Sequence, residues 1–218
     1  MINTNELVIV LDTETTNSID DPLCYDIGFA VVNPFTGEVI EQQSYVVAEV
    51  FLDRELMSYA FFADKIPQYW EDIKAGRRQL AKFSTIRRAL ASACREYNVT
   101  KLFAHNMRFD NRSCNLTQRW LTSSKWRYFF PFGVEMWDTL KMARNLLKDD
   151  DAYGEFCYTN DYLTKNGQRR YTAEIIYRFL IDDVTFVEEH KGIEDVLIEK
   201  EILKYCLAMD AEMDGKLW

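Results

Sequence analysis

The chain has 218 residues, and 26 Lys plus Arg against 35 Asp plus Glu give it a formal charge of −9. Hydrophobic residues make up 48% and aromatics 14%, with 8 Gly and 4 Pro, which excludes a disordered, collagen-like or low-complexity chain. The acidity also argues against a protein that coats nucleic acid through clustered Lys and Arg.

At roughly 100–200 residues per domain, the length suggests a single domain spanning 1–218, enlarged by insertions. The opening residues lack a basic region, and the apolar run Leu7-Val-Ile-Val-Leu11 is too short for a signal-peptide core. That run reads instead as a buried central strand. Two further strands are expected at 27–32 and 38–47, with Asn33-Pro-Phe-Thr-Gly37 as the turn of a hairpin. Residues 51–82 are rich in aromatics and charge and read as an insertion. Phe83, Ile86, Leu90, Cys94 and Tyr97 recur at helical spacing, and the short strand Lys101-Leu-Phe-Ala104 follows. Helices are expected over about 109–121, near Thr139–Leu147 after Trp137, and from about Ile193 towards Trp218. Residues 148–172, with Asp149-Asp-Asp151 and several tyrosines, read as a second insertion.

This order predicts an α/β fold with a mixed five-stranded sheet flanked by helices. Cysteines 24, 94, 114, 157 and 206 contain no C-x-x-C pair, so buried free thiols are expected. No stretch approaches the ~20 apolar residues that span a bilayer, so a cytoplasmic protein without membrane contact is expected.

Three clusters carry chemistry. The first strand runs into Asp12-Thr-Glu14-Thr-Thr16, and residues two apart on a strand share a face, so Asp12 and Glu14 present paired carboxylates. Hard oxygen ligands of this kind suit Mg²⁺ or Mn²⁺, although for D-x-E alone a solvated acidic turn after a strand is the commoner explanation. Ala104-His-Asn-Met-Arg-Phe-Asp110 lies at the carboxyl end of a strand, where ligands of α/β sheets collect; helix capping by Asn106 and Asp110 is the plainer alternative. In His190-Lys-Gly-Ile-Glu-Asp195 the two end residues share a site only if His190 lies in a loop and Asp195 in the following helix, which Gly192 makes easy. A loop histidine beside a metal-binding carboxylate suits a general base.

Together the clusters resemble the three motifs of the DnaQ-like, or DEDDh, 3′–5′ exonucleases, in order and across about 7–205. Asp12-Thr-Glu14-Thr-Thr matches the first, His105-Asn106 with Phe109-Asp110 the second, and His190 with Asp195 the third. Asp26-Ile-Gly28 and Asp138-Thr-Leu140 are similar to accompanying elements. Asn17 stands where Gly usually closes the first motif, Gly192 replaces a common Ala, and Glu199 adds a carboxylate one turn after Asp195. Tyr205 is five residues before Asp210, so the family's tyrosine variant does not fit.

The resemblance implies an RNase H-like fold and a phosphodiesterase using two Mg²⁺ or Mn²⁺ ions held by Asp12, Glu14, Asp110 and Asp195. Asp12 would bridge the ions, with Glu14 and Asp195 on the nucleophile side and Asp110 on the other. His190 would take the proton of the attacking water, so the catalytic set is His190, Asp12, Glu14, Asp110 and Asp195. The implied substrate is a single-stranded 3′ end, DNA favoured and RNA possible, touched by Thr15, His105, Asn106, Phe109, Arg108 and Arg112. Arg108 and Arg112 belong to a patch of six basic residues between Lys101 and Arg127, interleaved with Phe103, Phe109, Trp120 and Trp126, as single-strand binding requires. Arg169-Arg170 is a weaker candidate. An RNase T or oligoribonuclease-like RNA exonuclease shares the motifs, and a non-catalytic polymerase-associated module is the alternative of another class. Tyr69 and Trp70 would then offer a surface to a replication partner; oligomeric state is open. Two bound Mg²⁺ would bring the charge to −9 + 4 = −5, and 182–201, with eight acids and two lysines, surrounds the third motif.

Overall fold

In a computed structural model, which describes residues 6–125 and 127–211, the β-branched run lies in the central strand β1 (Val8–Thr16). Val8, Ile9 and Val10 are fully buried because both faces of this strand are covered. β2 (Leu23–Val32) and β3 (Val39–Val47) complete an antiparallel meander. Their turn is closed by Gly37 N–H donating to Asn33 O at 2.9 Å, while the Asn33 side chain accepts from the backbone of Phe35 and Thr36.

The segment after β3 holds two single-turn helices, α1 (Ala48–Phe51) and α2 (Arg54–Met57), then a 3₁₀ turn at Ala63–Lys65, α3 (Ile66–Lys74) and β4 (Gln79–Ala81). Next come α4 (Phe83–Glu96), β5 (Lys101–Ala104), α5 (Met107–Leu121), β6 (Glu135–Asp138) and α6 (Thr139–Leu147). The chain continues through α7 (Asp151–Thr159), α8 (Ala173–Ile181) and α9 (Gly192–Ala208). The strands form one mixed sheet ordered β4-β3-β2-β1-β5-β6, so the described residues hold a six-stranded sheet where five strands were expected. The sixth, β4, is three residues long and pairs parallel with β3; Gln79-Leu-Ala81 is too short to show an alternation.

Two cores flank the sheet. Ile9 and Leu11 face Phe83, Ile86 and Leu90 of α4 and Phe51 and Tyr69 of the 51–82 segment. Val8 and Val10 face Met142 of α6, Ile176 of α8 and Val196 and Ile202 of α9. Helix α9 lies unusually close to β2. A Cβ on Gly28 would sit 2.2 Å from the Ile193 nitrogen, and one on Gly192 would sit 2.7 Å from the Gly28 nitrogen. The glycines therefore let backbone meet backbone, which sets the depth of the third motif against the first.

The 51–82 segment is fastened to that same junction. Arg78, 2% exposed, bonds both oxygens of buried Asp26 at 3.0–3.1 Å, and also Ser44, Asp72 and Glu194. Asp26 additionally accepts from Tyr69 Oη at 2.7 Å and from the Gly192 N–H at 2.9 Å. All five cysteines are buried and free. No helix among the described residues is long and apolar enough to cross a membrane.

Candidate active site

The sheet's geometry brings the three clusters to one end of β1 and β5. Asp12 and Glu14 pair with Gly28 and Asp26 across the ladder, and the register shifts directly after Glu14. Irregularities of this kind re-aim side chains beside functional sites. Thr13 points to the other face and donates its hydroxyl to Asp110 Oδ1 at 2.8 Å, holding that carboxyl at the site.

The turn from β5 to α5 is built around Asn106, whose backbone is left-handed at φ 77° and whose side chain makes no cap bond. Its role is conformational, and helix capping does not account for it. The Asn106 N–H donates to Asp138 Oδ1 at 3.1 Å, and the same oxygen accepts from the Leu140 N–H at 3.0 Å at the start of α6. Asp138-Thr-Leu140 thus ties two strand-end turns together. Asn17 is likewise left-handed, at φ 71°.

His190 lies in the loop before α9, at φ 51°, and Asp195 lies in the first turn of that helix. Ligating atoms of Glu14, His190 and Asp195 all lie within 4.8 Å of one another. Asp110, Asp195 and Glu199 are 2%, 4% and 3% exposed. Oδ1 of Asp195 is buried without a hydrogen-bond partner among the described residues.

This crowding shifts the protonation of every member. Burial, then Glu199, Asp110, Glu14 and Asp195, holds the Asp12 carboxyl well above its ordinary range. Burial followed by Asp26 and Glu188 raises Glu14 to about 8, and Lys65 pulls it the other way. Burial followed by Glu188 and Glu14 raises Asp195 to about 9. Asp110 is pushed up to about 7, mainly by burial. Carboxylate oxygens beside the His190 ring, an orphaned carboxylate oxygen and mutual repulsion are together what a divalent cation relieves. Asp12, Glu14, Asp110 and Asp195 fit such a cation, and no Cys belongs to the described cluster.

Two further acids join the cluster. Glu199 accepts from the His105 N–H at 3.1 Å, so the extra carboxylate noted one turn after Asp195 is part of the site. Glu188 was not singled out; burial, then Glu174, raises it to about 7, and its charge bears on Glu14, Asp195 and Glu199. Its only sequence signal was the density of acids in 182–201.

The expected substrate contacts are more scattered. Thr15 is partly exposed at the register shift, Asn106 is exposed, and Phe109 is partly buried. Both ring nitrogens of His105 are taken: Nε2 donates to the Tyr171 carbonyl at 2.8 Å, leaving Nδ1 to accept from Thr139 Oγ1 at 3.2 Å. Burial holds this histidine below its ordinary pKa, consistent with a neutral ring bracing the 148–172 segment. Arg108 and Arg112 are on the outer face of α5, lining a hollow of about 290 Å³ with Arg119 and containing none of the site carboxylates. Arg112 bonds the Asp20 carbonyl. Trp126 and the end of the helix expected to reach Trp218 fall outside the described residues. Tyr69 is fully buried and cannot form a partner surface, because it fills the core beneath Asp26; Trp70 is 37% exposed. Asp210 is exposed beyond α9, away from any role with Tyr205.

No family model matches the chain, and no curated protein matches it by sequence. Solved structures do match. The nuclease domain of 3′hExo, a DEDDh family member bound to rAMP, aligns over 99% of this chain and 100% of its own, with TM-score 0.65 at 10% identity. A 3′-exonuclease that recognises the histone mRNA stem-loop aligns over 97% of this chain and 68% of its own, with TM-score 0.63 at 11% identity. The zinc-bound E. coli ExoI–ssDNA complex aligns over 94% of this chain and 41% of its own, with TM-score 0.61 at 13% identity. The chain therefore shares the α/β fold of these solved 3′-exonuclease structures.

Proposed function

We propose that the protein is a metal-dependent 3′–5′ exonuclease that removes nucleoside 5′-monophosphates from the 3′ end of single-stranded nucleic acid, DNA in the first instance. The observation that carries this reading is the approach of Glu14, His190 and Asp195 to within 4.8 Å around an orphaned carboxylate oxygen. Two Mg²⁺ or Mn²⁺ ions held by Asp12, Glu14, Asp110 and Asp195 would supply the positive charge that a phosphodiester needs before a nucleophile can approach it.

The chain's own part is to place a base and hold it neutral. Burial, followed by the charge of Lys65, lowers the His190 pKa, so at neutral pH the ring is ready to accept a proton. Its Nδ1 lies 3.8 Å from Glu188 Oε2. The water oxygen then bonds to phosphorus, the bond to the 3′ oxygen breaks, and that oxygen is protonated as it leaves. The β1 irregularity, the left-handed Asn106 turn and the Gly28–Gly192 contact hold the acids and the base in one place without needing substrate.

His190→Ala is expected to retain oligonucleotide and divalent-cation binding while losing about 10²–10⁴-fold in turnover. Single-stranded DNA and RNA run in parallel measure substrate preference, and binding without cleavage of either would favour the non-catalytic module. Undiminished turnover in His190→Ala would overturn the general-base role.

A further inference from the structure

A cleft of about 910 Å³ opens on the carboxylate cluster and is lined by both acids and cations. Asp12, Glu188 and Glu199 line it, as do Arg144 of α6, Lys148, Arg169 and Arg170, the cations forming its basic wall. Arg144, Lys148 and Arg170 are exposed. Asp149, Asp150 and Asp151 do not line the cleft, and the Asp150 side chain is occupied in capping α7 through the Tyr153 N–H.

The basic wall is braced rather than loose. Arg169, next to Arg170, turns inward and donates Nη1 to the Leu147 and Asp150 carbonyls at 2.7 Å each, lying against Gly154, where a Cβ would meet its guanidinium at 2.4 Å. Tyr153 Oη donates to the Arg170 carbonyl at 2.5 Å, and the Tyr171 carbonyl accepts from His105. The Arg144 guanidinium lies 5.9 Å from the Tyr171 ring. The loop is thus anchored at both of its arginines and at the second motif, with Arg170 left facing the cleft.

From this placement we infer that Arg144, Lys148 and Arg170 form a phosphate-binding wall that grips the backbone of a single strand upstream of its 3′ end. The inference rests on the nuclease reading of the carboxylate site and adds the surface that orients the strand. A chain of charge −9 repels a polyanion overall, and cations held among the acids would screen charge only near the carboxylate cluster. Phosphates further along the strand need their own counter-charge, and this wall is a basic surface that lines the same cleft as the acids. The outer face of α5, with Arg108, Arg112 and Arg119, is separated from that cleft.

The test compares the wild type with the double variant Lys148→Ala/Arg170→Ala. A charge-matched control, Arg88→Ala/Arg95→Ala, lies on exposed positions of α4, against the opposite core. Binding of a labelled 12-nucleotide DNA is followed by anisotropy in EDTA, and hydrolysis of the same 12-mer and of a dinucleotide is followed in Mg²⁺. Removal of two phosphate contacts should reduce the slope of log affinity against log salt by about 1.4 and weaken 12-mer binding about tenfold at low salt. The KM for the 12-mer should rise similarly, and that for the dinucleotide should stay within about twofold. Wild-type affinity and salt slope in the double variant would overturn the wall while leaving the exonuclease intact. Wall-dependent binding without hydrolysis by the wild type would uphold the wall and sink the nuclease reading, and a wild type that neither binds nor cleaves would sink both.

Discussion

The Phe62 ring lies face to face with the His190 imidazole, with centroids 4.2 Å apart and planes 10° from parallel. Phe62 belongs to the 51–82 segment, so this aromatic plate reaches the third motif from a distant part of the chain. Lys65, three residues on, donates to the Glu189 carbonyl beside His190, and Lys191 pairs with Glu189 at 2.8 Å and with Asp72 of α3 at 3.7 Å. The loop that carries the proposed base is therefore held from outside its own helix.

Phe62 acts as a positioning residue through His190. An aromatic pair contributes about 0.5–1.5 kcal/mol beyond its buried area, so Phe62→Ala should lower kcat by up to about tenfold with KM within about twofold. Phe62→Tyr should restore most of the rate, because it keeps the plate. Steady-state kinetics on a single-stranded oligonucleotide decide this, and an unchanged kcat in Phe62→Ala would remove the segment from catalysis.

Stability should depend on pH in a direction set by the carboxylates. The ordinary values of 3.8 to 4.5 rise on folding to about 7 for Asp110, about 8 for Glu14 and about 9 for Asp195. Between those limits the folded state holds protons that the unfolded chain has released, so stability present below about pH 4 is lost progressively up to about pH 9. In EDTA, Tm should fall between pH 5.5 and 8.5. Mg²⁺ or Mn²⁺ should raise Tm more at the higher pH, because the cations bind the deprotonated acids. A pH-independent Tm in EDTA would contradict the crowding of these groups.

Arg78 should be one of the least replaceable residues for folding. It and Asp26 are both buried, and Arg78→Met would strand a carboxyl that burial already pushes above its ordinary pKa. Breaking a buried pair from one side costs about 3–5 kcal/mol. Chemical denaturation should show a loss of that size; a loss under about 1 kcal/mol would show that the junction is held elsewhere.

The parts of this fold that were legible in the sequence are those with strong local signals. The buried run of β1, the hairpin turn at Asn33–Gly37, the period of α4 and the short apolar strand β5 all appear where their patterns predict. The motif residues meet because β1 and β5 are neighbours in the sheet, and the loop-then-helix placement of His190 and Asp195 follows from their spacing. The 51–82 segment was opaque because, apart from α3, it consists of single turns and a three-residue strand, whose reasons for folding are non-local. Arg78 reads as a surface cation until Asp26 is placed beside it. Lys148 was similarly hidden and Arg170 showed only as a weaker candidate, since their value lies in sharing a cleft with Asp12. The overall charge of −9 was the poorest guide, because it averages acids and cations that line one cleft.

The central claim is tested most directly by incubating 5′-labelled single-stranded DNA with the wild type and with Asp12→Asn in Mg²⁺. The wild type should shorten the strand stepwise from its 3′ end and release nucleoside 5′-monophosphates, and both EDTA and Asp12→Asn should stop it. A strand left intact by the wild type in Mg²⁺ and Mn²⁺, or shortened equally well by Asp12→Asn, would contradict the account.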